Sequence, residues 1–174
     1  MIRKFLLIII FLFNLTPVFS EDKIAYIDIS EVINKSLVGQ NLESQLKKIH
    51  DEKNNKFLLL EKKLKEKEKT ILSKKNIISE NEFKNLAENL KIDVDKYNKD
   101  RSDFINLIKK KKIKYTNIIL EKLNPILTSY VETESISLLL SKKNLVIGKK
   151  SLDISNQIII LLNKKIKEIE IENE

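Results

Sequence analysis

The sequence of 174 residues contains no cysteine and only one histidine, His50. Without cysteine the chain cannot form a disulfide framework, so its stability must come from packing and assembly. His50 has no cysteine and no second histidine with which to bind zinc or to form a nucleophilic triad. We therefore expect His50 to be a solvated helix residue, and we predict that the protein holds no metal and is not an enzyme.

Glycine is almost as scarce, since it occurs only at positions 39 and 148. A loop that cradles phosphate groups needs closely spaced glycines, so no nucleotide-binding loop can be built and we predict no cofactor. The long interval without glycine, from residue 40 to residue 147, favours uninterrupted helix.

An apolar run at residues 5–13 follows two basic residues, which is the pattern of a secretory signal peptide. Val18 and Ser20 stand where a signal peptidase requires small residues, so we predict that residues 1–20 are removed by cleavage between Ser20 and Glu21. The alternative is an uncleaved membrane anchor, but the run is shorter than the ~20 apolar residues that span a bilayer. Because no cysteine follows, a lipid anchor is excluded. We expect an exported, soluble protein.

Positive charge predominates, with 33 basic and 25 acidic side chains. Cleavage removes Arg3 and Lys4 and no acidic residue, which leaves a net charge of +6. Because we expect the protein to be exported, we do not expect nucleic acid to be its physiological partner. Acidic proteins and anionic envelope lipids are suitable partners for its positive charge. Arg101 is the only arginine after the signal peptide. Lysine is a mobile point charge, so the surface favours diffuse attraction over a specific anion pocket.

Apolar residues recur at steps of three and four in two long runs, as in helices that each present one narrow seam to a partner helix. Between the runs, Ser79 and Glu82 form a capping box, so the chain reverses near residues 76–79. We predict an antiparallel helical hairpin on the order of 50 to 60 Å long. This hairpin, residues 41–119, is called the arm. Its seam positions are Leu42, Leu46, Ile49, Phe57, Leu60, Leu64 and Ile71, then Phe83, Leu86, Leu90, Val94, Tyr97, Arg101, Phe104, Ile108, Lys111, Tyr115 and Ile118.

Strand patterns lie on both sides of the arm. Residues 23–29 read as a lone strand, and 135–141 and 144–150 read as a hairpin of two strands. A lone strand needs a partner for its backbone, so we predict that it pairs with the later strands. Residues 21–40 and 120–174 then form a second unit, called the head. The predicted fold class is α+β, mostly α, with the coiled-coil arm inserted in a small β-rich oligomerisation head.

Two further features concern helices of the head. Asn124 and Pro125 should kink or restart the second arm helix, because proline lacks a backbone donor and clashes with the preceding turn. Residues 152–169 predict a closing helix capped by Asp153 or Ser155. A core made of three short strands and a few helix ends is marginal alone, so we expect a homo-oligomer assembled through the head.

The layout resembles the Skp/OmpH family of periplasmic chaperones over nearly the whole mature chain. The resemblance rests on "KIAYIDISEVINKSLVGQ", the charged helical hairpin, "SISLLLSKKNLVIG", and "SLDIS" before an apolar helix, where the family usually has D-I/L-T. It implies a homotrimer whose three arms surround a cavity that holds unfolded outer-membrane proteins without ATP. No motif here matches the lipopolysaccharide-binding site of the family, so that property is not carried over.

Apolar residues that the seam does not need are the first candidates for client contact: Leu58 and Leu59 on the first helix, and Ile77 at the turn. The alternative for these residues is packing between arms or a locally wider core. Charged candidates come from a lysine run, which could equally be a solvated face or a basic wall toward an acidic client. They are Lys109, Lys110 and Lys112.

Two hypotheses of function follow. The first is an ATP-independent holdase chaperone that binds unfolded outer-membrane β-barrel proteins in the periplasm and prevents their aggregation. The second is a structural coiled-coil protein of the envelope, which docks on anionic lipid or on another envelope protein and binds no client. Suppression of aggregation of an unfolded barrel protein distinguishes them.

Overall fold

The computed structural model describes residues 22–172, so the predicted signal peptide and its cleavage site at Ser20 and Glu21 lie outside the described residues. The elements follow in the order β1 (Lys23–Ile27), α1 (Ile29–Lys35), α2 (Leu37–Ser73), α3 (Glu80–Thr133), β2 (Ile136–Ser141) and α4 (Ser155–Lys165). Two 3₁₀ turns, Lys142–Asn144 and Lys150–Leu152, lie between β2 and α4.

The greater parts of helices α2 and α3 form the arm, and the two helices run antiparallel. Near the head, Lys112 of α3 pairs with Glu43 of α2 at 2.8 Å, and farther out Lys67 of α2 pairs with Asp93 of α3 at 2.6 Å. The 37 residues of α2 span about 55 Å at 1.5 Å per residue. Ser79 is the N-cap of α3, as the capping box predicts, because its Oγ accepts the N–H of Glu82 at 3.3 Å.

The sheet joins the two ends of the chain. Strands β1 and β2 pair in parallel, with Ala25 opposite Leu139 and Tyr26 opposite Leu140. Parallel strands need a long crossover connection, and the arm supplies it. The predicted fold class, α+β and mostly α with the helical arm inserted in the head, is confirmed, as is the pairing of the first strand with the segment after the arm.

The predicted strand at 144–150 is wrong. After β2 the chain makes the Lys142–Asn144 turn and then a loop in which Val146 and Ile147 are 104% and 90% exposed. The free edge of β1 is taken instead by Asp153, which forms a parallel bridge with Tyr26 and lets the Ile154 N–H donate to Tyr26 O at 3.0 Å. Within residues 22–172 the sheet therefore has two strands, and the apolar run of the loop has no strand to pair with.

Helix α3 continues through Pro125, so the predicted restart does not occur. A proline inside a helix costs about 3 kcal/mol because it removes a hydrogen bond and crowds the preceding turn. On either side of Pro125, however, Leu123 is fully buried and Ile126 and Leu127 pack against the core. This packing holds the helix together across the proline.

Helix α4 ends at Lys165, four residues before the end of the predicted helix. Its C-cap residue Ile166 is extended, with φ −149° and ψ 130°. The remaining described residues, 166–172, run without regular structure along the base of the arm and are called the tail. Neither predicted cap residue occupies the N-cap position, which is Ile154, but the Asp153 carboxylate accepts the Ser155 N–H at 3.0 Å.

The core lies where the base of the arm meets the head. Side chains from all four helices and both strands contribute to it, so the arm is anchored in the same hydrophobic cluster that holds the sheet. Its fully buried members are Val32, Val38, Ile119, Leu123, Ile158 and Leu162.

Candidate functional site

The predicted apolar candidates on the arm are exposed. Leu58 and Leu59 on α2 are 55% and 64% exposed, although the adjacent Phe57 is buried in the seam. Ile77 lies in the turn at the tip of the arm and is 81% exposed. None of the three is needed to close the contact between the two helices of this chain, so their side chains are available to another molecule.

The arm carries more exposed apolar side chains than the sequence analysis singled out. Leu60, expected in the seam, is 40% exposed. The others lie outside the two predicted stripes, and that position off the stripe is the signal that could have identified them. They are Leu72, Ile92, Ile105, Leu107 and Ile113. Exposed apolar side chains are therefore distributed along both helices of the arm.

Aromatic side chains fill the seam halfway along the arm. The Phe57 ring packs edge-on against Tyr97 and tilted against Phe104, with both centroid distances 5.9 Å. His50 stacks on Phe104 at 6.2 Å while its side chain stays half exposed, so it is a surface helix residue with one ring contact. These rings keep the two helices in register at the point where Lys53 interrupts the apolar spacing of α2.

Shallow grooves run beside this aromatic cluster. One of ≈ 500 Å³ is lined by apolar and charged side chains: Phe57, Leu60, Phe104 and Leu107, with Lys53, Lys56, Asp100 and Asp103. Such a groove has room for an apolar side chain, but it is open to solvent and does not enclose a small molecule. The geometry suits many weak contacts better than one specific pocket.

The three lysine candidates lie near the base of the arm, on α3. Lys109 and Lys110 form no ion pair with another described residue, whereas Lys112 pairs with Glu43. The structure does not bring them together with the apolar candidates, because Glu43 and Leu58 are about 22 Å apart along α2. The six candidates therefore span the length of the arm and do not form one patch.

On the arm, Glu61 is held in its charged form by a lysine. A hydrogen bond from Lys65 at 2.7 Å, together with the charge of Lys65, lowers the pKa of Glu61, and the same contact raises the pKa of Lys65. Tyr97 OH also donates to Glu61 Oε2 at 3.3 Å. Glu61 and Lys65 therefore stay ionised near neutral pH and give the arm fixed surface charge.

The head also exposes apolar side chains in the loop between the two 3₁₀ turns. Val146 and Ile147 project into solvent, and Gly148 beside them lies against the Tyr26 ring. Together these two adjacent side chains form an exposed aliphatic surface on the head.

Within residues 22–172, no group of three or more histidine or acidic side chains could hold a metal ion. In the same residues, no helix combines the length and the apolar character that a membrane span requires.

The fold and these surfaces define a class of protein with a small α/β head and one long helical arm that carries scattered apolar and basic side chains. The chain belongs to the outer membrane protein (OmpH-like) family, whose model matches residues 23–162. No curated protein is significantly similar to it in sequence.

Among solved structures, the chain is similar to a candidate outer membrane chaperone (OmpH-like) from Caulobacter crescentus CB15. The two share 17% sequence identity with a TM-score of 0.78, and the match covers 89% of this chain and 92% of the other. At this identity the similarity establishes the common fold, including the arm.

Proposed function

We propose that the protein is an ATP-independent holdase chaperone that binds unfolded outer-membrane β-barrel proteins in the periplasm and prevents their aggregation. The observation that carries this proposal is the arm surface, where apolar side chains such as Leu58, Leu59 and Ile77 stand exposed among lysines. Unfolded chains present many different apolar segments, and scattered weak contacts can hold any of them. Membership of the OmpH-like family supports the same function.

The proposed location and assembly follow from the head and the N-terminus. Residues 1–20 are proposed to be a signal peptide cleaved before Glu21, which would deliver a soluble protein to the periplasm. The heads are proposed to form a homotrimer, supported by the exposed Val146 and Ile147 and by the small sheet. Three arms extending from one body would multiply the weak contacts with a single client.

The proposed recruitment step is electrostatic. Lys109, Lys110 and Lys112 belong to a lysine-rich arm in a mature chain of net charge +6. A diffuse positive field increases the encounter rate with an acidic unfolded chain, and apolar contacts then lengthen the lifetime of the complex. No enzyme activity, cofactor or physiological nucleic-acid partner is part of this proposal.

The second candidate is a structural envelope protein that docks on anionic lipid, which the exposed lysines of the arm favour. The two candidates make different predictions for one pair of variants. Light scattering of a denatured outer-membrane barrel protein should be suppressed by stoichiometric wild-type protein. Leu58→Ser with Leu59→Ser should weaken the suppression, and the polar control Asn55→Ser should not.

A structural protein would give no suppression with any variant and would instead cosediment with anionic vesicles. Lack of suppression together with vesicle binding would therefore replace the holdase proposal with the lipid-docking one. Asn55 is a suitable control because it is exposed on the same stretch of α2.

A further inference from the structure

The tail, residues 166–172, is bound to the base of the arm mainly through its backbone. Asn41 Oδ1 accepts the Ile169 N–H at 3.2 Å, Gln45 Nε2 donates to Ile169 O, and Gln45 Oε1 accepts the Ile171 N–H at 3.3 Å. Asn41 and Gln45 are one helical turn apart on α2 and hydrogen-bond to each other, so they present a continuous row of amide groups.

Helix α3 binds the end of the tail in the same manner. Tyr115 OH accepts the Glu172 N–H at 2.8 Å, and Lys111 Nζ donates to Glu172 O. Lys114 also pairs with the Glu172 carboxylate at 2.9 Å and holds the pKa of that carboxyl below its usual range. Five backbone groups of the tail thus have partners on the arm, and each partner is a side chain.

From Glu168 onward, the side chains of the tail alternate between solvent and the arm. Ile171 is buried and Ile169 is partly buried against the core, while Glu168, Glu170 and Glu172 are exposed. Such alternation of apolar and polar residues is typical of a strand with one covered face, including the strands of outer-membrane barrels. The base of the arm therefore binds an extended backbone that has aliphatic residues at alternate positions.

We propose that the base of the arm is a binding site for extended polypeptide segments of this alternating type, and that the tail occupies it as an intramolecular competitor. The observations that carry the proposal are the backbone contacts from Asn41, Gln45 and Tyr115. Contacts to the backbone do not depend on the sequence of the ligand, whereas the buried position of Ile171 selects an aliphatic side chain. That the natural ligands are unfolded barrel proteins rests on the proposed function, but the site itself does not.

The tail is suited to exchange because it forms neither helix nor strand and follows α4 through an extended residue. Its release would leave β1, β2 and the four helices in place. A competing segment must then displace the tail, so the apparent affinity of the site is reduced by the fraction of time for which the tail is docked.

The direct test uses a fluorescent peptide with the sequence of residues 166–174, IKEIEIENE, and a chain that ends at Lys165. The peptide should bind the shortened chain saturably, and at least ~10-fold more tightly than it binds the full chain, in which the site is open only a small fraction of the time. A scrambled peptide of the same composition should bind more weakly. Gln45→Ala in the shortened chain should reduce binding, whereas the exposed neighbour Ser44→Ala should not. A folded, assembled short chain that does not bind the peptide would overturn the proposal.

A second measurement uses the full chain and decides the matter if the shortened chain does not fold. Hydrogen exchange at the amides of Ile169, Ile171 and Glu172 should accelerate when excess unlabelled peptide is added, because the peptide displaces the tail. Ile171→Ser should accelerate the same amides without peptide, and Glu170→Gln, at an exposed position, should not. Exchange that is unchanged at saturating peptide would show that the tail is a fixed structural element and would refute the competition.

These outcomes are independent of the holdase test. If the peptide binds and aggregation of barrel proteins is nevertheless unaffected, the site remains and the proposed clients are wrong. If both proposals hold, removal of the tail should also increase the affinity for an unfolded barrel protein several-fold.

Discussion

Individual residues show which properties of this chain depend on spacing along the sequence and which depend on the assembled fold. His50 was expected to be solvated, and half of its side chain is, but its stacking on Phe104 joins two helices that are far apart in sequence. The relative register of α2 and α3 decides that contact. It could not be predicted from the spacing of apolar residues within either helix.

The two glycines provide a test at the residue scale. A Cβ on Gly39 would lie 1.8 Å from Ile33 O, a backbone atom that cannot move without breaking the junction of α1 and α2. Gly39→Ala should therefore cost ~3 kcal/mol, at the upper end for overpacking, and should lower the melting temperature by about 10 °C.

Gly148→Ala is the matched control for this prediction. The added Cβ would meet Tyr26 Cε1 at 2.9 Å, and a ring edge beside an exposed loop can shift. Thermal unfolding should show a loss several times smaller than for Gly39→Ala. Equal losses at the two positions would mean that the α1–α2 junction is more adaptable than the structure indicates.

Asp153 provides a second test at this scale, through pH. Burial opposes its charge, but hydrogen bonds from Ser155 Oγ and N, together with Lys142, outweigh burial and lower the pKa of Asp153 below its usual 3.8. Its stabilising effect is present above that value and is lost as the pH falls through the lower pKa of the folded state.

Asp153→Asn should therefore destabilise the protein at pH 7 by about 1 kcal/mol. The difference in free energy of unfolding between wild type and variant should shrink as the pH falls below 4, as urea unfolding can measure. A difference that stays constant with pH would show that the charge of Asp153 contributes nothing to folding.

At the scale of elements, the two arm helices and their cap could be predicted from the sequence, because helix periodicity and capping are local. Leu60 departs from the predicted seam, since beyond Phe57 the two helices do not enclose it. The strand predicted at 144–150 failed for a different reason. An apolar run forms a strand only where a neighbouring strand has free backbone groups to pair with. The free edge of β1 at Tyr26 is already paired with Asp153.

The tail could not be predicted either. Ile166 and Ile169 fit a continued helix, and the amide and hydroxyl groups that hold the tail extended belong to Asn41, Gln45 and Tyr115 on the arm. Tertiary contacts with residues more than fifty positions away thus override the local preference.

The arm should capture clients in two kinetically separate steps. Attraction by lysines is screened over a Debye length of about 8 Å at physiological salt, so stopped-flow binding of a denatured barrel protein should show slower association as salt rises. Dissociation should change little, because the apolar contacts that retain the client do not depend on salt.

Leu58→Ser with Leu59→Ser should have the reverse effect, with faster dissociation and nearly unchanged association. Circular dichroism should remain that of the wild type, because both side chains are exposed. Association that is indifferent to salt would rule out recruitment by the lysines of the arm.

At the scale of the whole molecule, assembly and client binding are proposed to reside in different parts of the chain. Val146→Ser with Ile147→Ser should weaken assembly, because these are the most exposed aliphatic residues of the head. Sedimentation should show smaller species than the wild type at the same concentration, whereas Leu58→Ser with Leu59→Ser should sediment as the wild type does. An unchanged oligomer in the loop variant would place the interface elsewhere.

The central claim is that the arm holds unfolded chains and the head holds the subunits together. It is tested most directly by removing residues 50–105 and closing the gap with a short turn, which preserves Asn41, Gln45, Tyr115 and both strands. Analytical ultracentrifugation with a labelled, denatured outer-membrane barrel protein then reports assembly and capture together. We predict that the shortened protein remains the same oligomer as the full chain and carries much less label than the full chain does, because it keeps only the site at the base of the arm, where the tail competes. The full chain should cosediment with the label without ATP. A shortened protein that is monomeric, or that still captures the barrel protein as the full chain does, would contradict the claim.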